Sequence, residues 1–266
     1  MNELRGFVAS HRRVVVLTGA GCSTESGIPD YRDEQGGWKR RPPVMYQAFR
    51  SQDATYRRYW ARGYAGWSRF TSAQPGSAHR ALAAWQKTGL LARLITQNVD
   101  GLHQRAGNLD VIDLHGRLDV VVCLSCRNRV SRIAVQSAME TLNPDWDAAA
   151  AAAPDGDADL EAAAVESFLP PRCGDCGGLL KPDVVFFGEN VPAARYEEAR
   201  EAVAAADAIL VAGSSLMVYS GFRFVKQAHD AGLPIAIVNR GRTRADELAT
   251  LKIEGDVGSV LMKGLG

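Results

Sequence analysis

Two C-x-x-C pairs, Cys123/Cys126 and Cys173/Cys176, place four thiols at the spacing of metal knuckles. Paired thiolates so spaced hold Zn²⁺ tetrahedrally, and four of them close its coordination sphere. The pattern therefore predicts one structural zinc with no open position for catalysis. Spacing alone leaves open a second reading, two independent redox dithiols. The 46 residues between the pairs exceed the usual separation, so the acidic stretch 143–168 reads as an insertion into the knuckle module. The fifth cysteine, Cys22, is expected to be a small packed side chain.

A second chemical segment runs Thr18-Gly19-Ala20-Gly21-Cys22-Ser23-Thr24-Glu25-Ser26-Gly27-Ile28-Pro29-Asp30-Tyr31-Arg32. It follows Val14-Val15-Val16-Leu17, an apolar β-branched run that reads as a buried parallel strand. A Gly-x-Gly turn directly after such a strand lets the backbone approach a phosphate at a helix N-terminus. The spacing departs from the usual dinucleotide fingerprint, because Thr24 stands where the third small residue belongs. Ser23, Ser26, Asp30, Tyr31 and Arg32 exceed what a plain turn needs. The segment reads as a specialised nucleotide loop.

The elements that position these groups alternate. Strands are expected at 91–96, 111–114, 184–187, 209–212 and 235–238, and helices at 77–87, 193–206 and 221–231. This pattern predicts an α/β fold, a doubly wound Rossmann-like parallel sheet, with a smaller zinc-binding and helical domain. The expected division assigns 1–33, 76–119 and 181–266 to the nucleotide domain. It leaves 34–75 and 120–180 to the small one, with 34–75 as a helical cover. In such a sheet, ligand residues sit past the carboxyl ends of strands. Polar and glycine clusters stand at four predicted ends: Gln97-Asn98-Val99-Asp100, His115-Gly116, Gly213-Ser214-Ser215 and Asn239-Arg240-Gly241.

In order along nearly the whole chain, these segments resemble the sirtuins. The likeness is carried by the 19–32 loop, Thr96-Gln97-Asn98-Val99-Asp100-x-Leu102-His103, Leu114-His115-Gly116 and the cysteine pairs. It continues through Lys181-Pro182-x-Val184-Val185-Phe186-Phe187-Gly188-Glu189, Gly213-Ser214-Ser215-Leu216-x-Val218 and Val238-Asn239. Tyr59-Trp60-Ala61-Arg62, the 143–168 insertion and Tyr219-Ser220-Gly221 resemble the class II branch.

The resemblance implies an NAD-dependent protein-lysine deacylase that yields nicotinamide and O-acyl-ADP-ribose. It implies NAD and one structural Zn²⁺ as bound groups and acylated protein lysines as substrates. His115 is then the base that deprotonates a ribose hydroxyl once nicotinamide has left, and Asn98 orients a water or the ribose. The cofactor set it implies is Gly19, Ala20, Gly21, Ser23, Tyr31, Arg32, Gln97, Asn98 and Asp100, then Gly213, Ser214, Ser215, Asn239, Asp256 and Val257. Val185, Phe186 and Phe187 would wall an acyl-lysine tunnel, with Gly188, Glu189, Leu216 and Val218 along the peptide. Tyr59 and Arg62, three residues apart, can face one pocket if helical and resemble a pair that binds acidic acyl tails. The other reading of that pair is a solvated helix face with Arg57 and Arg58. Two alternatives stand beside deacylation: protein mono-ADP-ribosyl transfer, and a zinc-bearing NAD sensor with negligible turnover. Hydride transfer fits the loop poorly.

The bulk numbers are ordinary for a soluble globular protein. It has 266 residues, 46% hydrophobic and 23% charged, with net charge +1, which gives no reason to expect specific nucleic acid. Residues 1–75 carry 12 Lys/Arg against 6 Asp/Glu, while 140–169 carry 8 Asp/Glu and no base, read as two solvated surfaces. No apolar run reaches the roughly 20 residues of a membrane span. Residues 1–13 lack a secretory core and suggest a short amphipathic helix bearing Leu4, Phe7 and Val8. With C-x-x-C pairs suited to a reducing compartment, the expected location is cytoplasmic.

Overall fold

β1 (Val14–Thr18) is buried at every position, and its side chains alternate between two separate cores. Val14 and Val16 face one, Val15 and Leu17 the other, as the two-residue period of a strand requires. A strand covered on both faces must read as continuously apolar, and this one does. The computed structural model describes residues 2–39, 43–146, 151–152, 158–159 and 165–266. The chain divides into two units, one of Met1–Arg41, Gln74–His115 and Val191–Gly266, the other of Pro42–Ala73 and Gly116–Asn190.

In the first unit, β2 (Leu91–Thr96), β3 (Val111–Asp113), β9 (Ala208–Ala212), β10 (Ile235–Asn239) and β11 (Leu251–Glu254) join β1 in a parallel sheet ordered β11-β10-β9-β1-β2-β3. The chain leaves β1 toward β2 on one side and later returns to β9 on the other. This reversal makes the β1/β9 boundary a topological switch point, where a crevice opens past the strand ends. Helices Asn2–Ala9, Ser77–Gln86 and Val257–Leu265 cover one face through Leu4, Leu82, Trp85 and Leu261. Helices Ala193–Ala204 and Tyr219–Asp230 cover the other through Val203, Phe224 and Ala228.

The second unit holds a three-stranded antiparallel sheet of β4 (Gly116–Cys123), β5 (Arg129–Ser131) and β8 (Leu180–Val184), ordered β5-β4-β8. Helices Tyr46–Ser51, Asp53–Ser72 and Arg132–Leu142 belong to it. A two-residue pair, β6 (Ala151–Ala152) with β7 (Ala158–Asp159), is all that is described between 146 and 165, so the 143–168 insertion lies mostly outside the described residues.

One predicted parallel strand is corrected. The segment expected at 184–187 forms β8 four residues earlier, and β8 pairs antiparallel with β4 rather than joining the parallel sheet. It stops at Val184 because Glu189 takes the Phe186 N–H on its side chain at 3.0 Å and Gly188 turns the chain at φ +80°. β11, with its half-buried pattern, was not expected from sequence.

Candidate active site

Two strand-end loops, after β1 and after β9, meet at the switch point with no room for side chains at their glycines. A Cβ on Gly19 would lie 2.7 Å from Ser214 Cβ, and one on Gly21 would lie 2.9 Å from Gly213 Cα. Gly213 itself has φ +64°, and a Cβ there would lie 2.5 Å from the Cys22 nitrogen. Gly21 N–H donates to the Gly213 carbonyl at 2.8 Å, locking the two strand-end loops together. Glycine is needed here for close approach as well as for dihedral freedom. Ala20 begins a short 3-10 turn, Ala20–Cys22. Cys22 is buried, its Sγ bonds the Ala212 carbonyl, and burial pushes its thiol up to about 12, so it packs as an inert side chain.

A polar network adjoins this cradle at the end of β2. Asn98 Nδ2 donates to the Gly19 carbonyl and to Ser23 Oγ, each at 3.0 Å. Ser23 Oγ donates to Asp100 Oδ2 at 2.7 Å, and the other oxygen of Asp100 accepts from Leu102 N–H. His79, which carries no sequence motif, bonds Ser23 Oγ through Nε2 at 3.4 Å and accepts the Gly76 N–H on Nδ1. Gln97 Nε2 reaches Ser214 Oγ at 2.7 Å, tying the β2 end to the β9 end. The Ser215 carbonyl accepts from Arg244 N–H at 2.9 Å. Past β10, Asn239 is buried and its Nδ2 donates to the Arg240 and Gly241 carbonyls.

His115 lies two residues past the end of β3. Its Nδ1 stands 3.0 Å from the Gln97 carbonyl and its Nε2 2.7 Å from Ser220 Oγ. Burial lowers its pKa from 6.5 to about 4; the Gln97 carbonyl opposes that shift and the Arg195 charge adds to it. The imidazole is neutral at pH 7.

Tyr31 and Arg32 lie on a tight hairpin. Arg32 stacks its guanidinium over Trp38 at 3.7 Å and donates to the Gly36 carbonyl, while Tyr31 meets Trp38 edge-on. That hairpin docks on the β10 end, where Arg242 N–H donates to the Glu34 carbonyl. Asp256 caps the helix Val257–Leu265 by accepting the Ser259 N–H at 2.9 Å, which holds its carboxyl below the usual range, and Val257 is buried in the core. Leu216, also buried, takes φ +57°, a left-handed backbone held by its N–H to Ser214 Oγ. Val218 precedes the helix Tyr219–Asp230 as its N-terminal flanking residue.

In the second unit, the four cysteine Sγ atoms lie within 4.8 Å of one another, with Cys123–Cys176 at 3.5 Å and Cys126–Cys173 at 3.7 Å. Tetrahedral zinc thiolate bonds of about 2.3 Å put sulfurs about 3.8 Å apart, so the donor set fits zinc. Each knuckle turns through a left-handed residue after its second cysteine, Arg127 and Gly177. Two separate redox pairs do not account for four convergent sulfurs.

Elsewhere in that unit Tyr59 packs its ring on Phe49 and Phe186 at 5.2 and 5.1 Å. Tyr59 and Arg62 share the helix Asp53–Ser72. Lys181, 4% exposed, donates to Glu189 at 2.9 Å and to the Val184 carbonyl at 2.5 Å. This pair fixes the 184–189 turn, which carries Val185 and Phe186, while the Phe187 carbonyl accepts the Tyr46 N–H and the Gly188 carbonyl accepts from Gln47.

A glycine cradle at a topological switch point, with a buried neutral histidine at an adjoining strand end, is the architecture of a nucleotide-binding α/β protein. The Sir2 family matches residues 19–220, and the chain belongs to that family. It is 61% identical over 254 residues to an NAD-dependent protein deacetylase of Xanthomonas axonopodis pv. citri, covering 95% of this chain and 87% of that one. It is 58% identical over 253 residues to NAD-dependent protein deacetylase 2 of Bradyrhizobium diazoefficiens, covering 95% and 93%. A solved structure described as "Sir2-p53 peptide-NAD+" matches with TM-score 0.78 and 32% identity over 99% of this chain and 96% of that one. Another, of a Sir2 protein "bound to a propionylated peptide", matches with TM-score 0.78 and 32% identity over the same shares.

Proposed function

We propose that this protein is an NAD-dependent protein-lysine deacylase that transfers the acyl group to ADP-ribose and releases nicotinamide. The observation that carries the reading is His115, a neutral imidazole fixed by the carbonyl of Gln97, a residue that also ties the β2 end to the β9 end. Bound NAD supplies an activated ribose carbon once its nicotinamide bond opens. Gly19, Ala20, Gly21, Gly213, Ser214 and Ser215 form the phosphate cradle, whose three glycines leave no room for a Cβ. Ser23, Asn98 and Asp100 orient the nicotinamide ribose through one connected hydrogen-bond network, Gln97 stands beside them anchored on Ser214, and Tyr31 and Arg32 cover the ribose. Asn239 serves the adenosine ribose; Asp256 and Val257 act indirectly, through the helix start they build. His115 removes the proton of a sugar hydroxyl so that its oxygen can attack the acyl carbon.

Substrate contacts are assigned to Val185, Phe186, Phe187, Gly188, Glu189, Leu216 and Val218, and acyl selectivity to Tyr59 and Arg62. Cys123, Cys126, Cys173 and Cys176 hold structural zinc. Among the described residues no helix is long and apolar enough to cross a membrane, and we place the protein in the cytoplasm, acting on protein lysines rather than nucleic acid.

An acyl-peptide panel tests this. Wild-type protein is expected to form O-acyl-ADP-ribose by mass spectrometry; ADP-ribosylated protein in its place would make the protein a transferase. His115→Ala is expected to lose at least about 100-fold in product formation, the scale of a general base, while NAD still binds. Arg62→Ala is expected to slow removal of acidic acyl groups by about tenfold, the worth of a charged hydrogen bond, with acetyl removal little changed. An equal loss across the panel would remove the selectivity role.

A further inference from the structure

The serine of Tyr219-Ser220-Gly221 sits on the base. The Gln97 carbonyl can only accept, so the ring proton of neutral His115 is on Nδ1. Nε2 then carries the lone pair, and Ser220 Oγ, 2.7 Å away, is its donor. Both ring nitrogens are occupied before any substrate arrives. The pair is also braced. Gly221 is buried, and a Cβ there would lie 2.5 Å from Gln97 Oε1. The residue whose carbonyl holds Nδ1 therefore closes against the glycine that follows the serine, and the same Gln97 is anchored to Ser214. Ser220 lies in the first turn of the helix Tyr219–Asp230, so its position is set by a rigid element packed on the sheet through Phe224 and Val225.

We propose that the proton removed from the sugar hydroxyl reaches His115 through Ser220. The sugar O–H bond breaks and a new O–H bond forms on Ser220 Oγ. The original Ser220 proton moves to Nε2, the sugar oxygen keeps its electron pair, and the products are an imidazolium and an intact serine. This relay deepens, and rests on, the deacylase reading. The competing geometry has the sugar displace the serine and meet Nε2 directly, which would make Ser220 an obstacle.

Ser220→Ala and Ser220→Thr separate the two. Exchange of labelled nicotinamide into NAD precedes the base step, and O-acyl-ADP-ribose formation follows it. Ser220→Ala is expected to leave exchange within about twofold and to lower product formation by about tenfold or more, a fraction of what a general base contributes. Ser220→Thr, which keeps the hydroxyl, is expected to recover most of that loss. Unchanged or faster product formation in Ser220→Ala overturns the relay, and so does an equal fall in exchange and formation. The ¹⁵N resonance of His115 Nε2 is read in the same proteins and needs no turnover. It is expected to shift on loss of the hydroxyl, and an unshifted resonance overturns the proposal whatever the kinetics show. A resonance that shifts between wild type and Ser220→Ala, where the wild type makes no acyl-ADP-ribose, would leave the hydrogen bond standing and overturn the deacylase reading together with the relay.

Discussion

His103 is a titratable side chain whose burial disfavours its charged form. It is 1% exposed, bonds Thr18 Oγ1 at 2.9 Å and lies 4.7 Å from the His79 ring. Desolvation, with the His79 charge adding, pushes its pKa from 6.5 down to about 3. Between those values the unfolded chain binds a proton that the folded protein refuses, so stability is full above pH 6.5 and drains as pH falls toward 3. His115 adds to the loss over the window from 6.5 to about 4. The melting temperature is expected to drop steadily from pH 7 to pH 4. His103→Gln, which cannot titrate there, is expected to flatten that slope whatever its effect at pH 7. A slope identical to wild type would remove His103 as a cause.

At the scale of elements, the 184–189 turn is held by charge as much as by backbone. The Lys181 ammonium, buried under Phe186 at 4.9 Å and Tyr46 at 5.7 Å, has Glu189 as its counter-ion. Glu189 also accepts the Phe186 N–H, so one carboxylate serves both the turn and the lysine. Glu189→Ala removes that counter-ion and the acceptor of the Phe186 N–H. It is expected to cost about 2 kcal/mol, a value discounted because Glu189 itself is 23% exposed at its side chain. Urea unfolding measures this, and a loss under about 0.5 kcal/mol, the worth of an exposed pair, would show that water already screens the ion pair. The glycine contact between the β1 and β9 ends works by the opposite means, through absence of side chains at Gly19, Gly21 and Gly213.

At the scale of the whole molecule, the zinc cluster joins segments far apart in the chain. Cys123 ends β4, and Cys173 and Cys176 precede β8, the strand paired with β4. Metal binding there is folding free energy, since the unfolded chain holds no such site. Chelation is expected to lower the melting temperature and to abolish activity only through unfolding, with circular dichroism and turnover falling together. Full turnover in a metal-free, still folded protein would overturn the structural role.

Much of the parallel sheet was legible in the sequence because strands covered on both faces must be continuously apolar, as Val14–Thr18 and Ala208–Ala212 are. The cysteine quartet was legible too, since chelation imposes its own short spacing. The positions of Gln97, His115 and Asn239 at strand ends followed from topology alone. Three things only the tertiary structure decided. The run near 184 joined an antiparallel sheet, because partner choice depends on β4, which periodicity in the run itself does not encode. His79 lacked any motif, and its link to Ser23 arises only when two segments fold together. Ser220 looked like a family mark until the first turn of its helix brought its hydroxyl to Nε2. Sequence fixes which groups are available within a few residues of one another, whereas a hydrogen bond between His115 and Ser220 spans 105 positions and exists only in the packed chain.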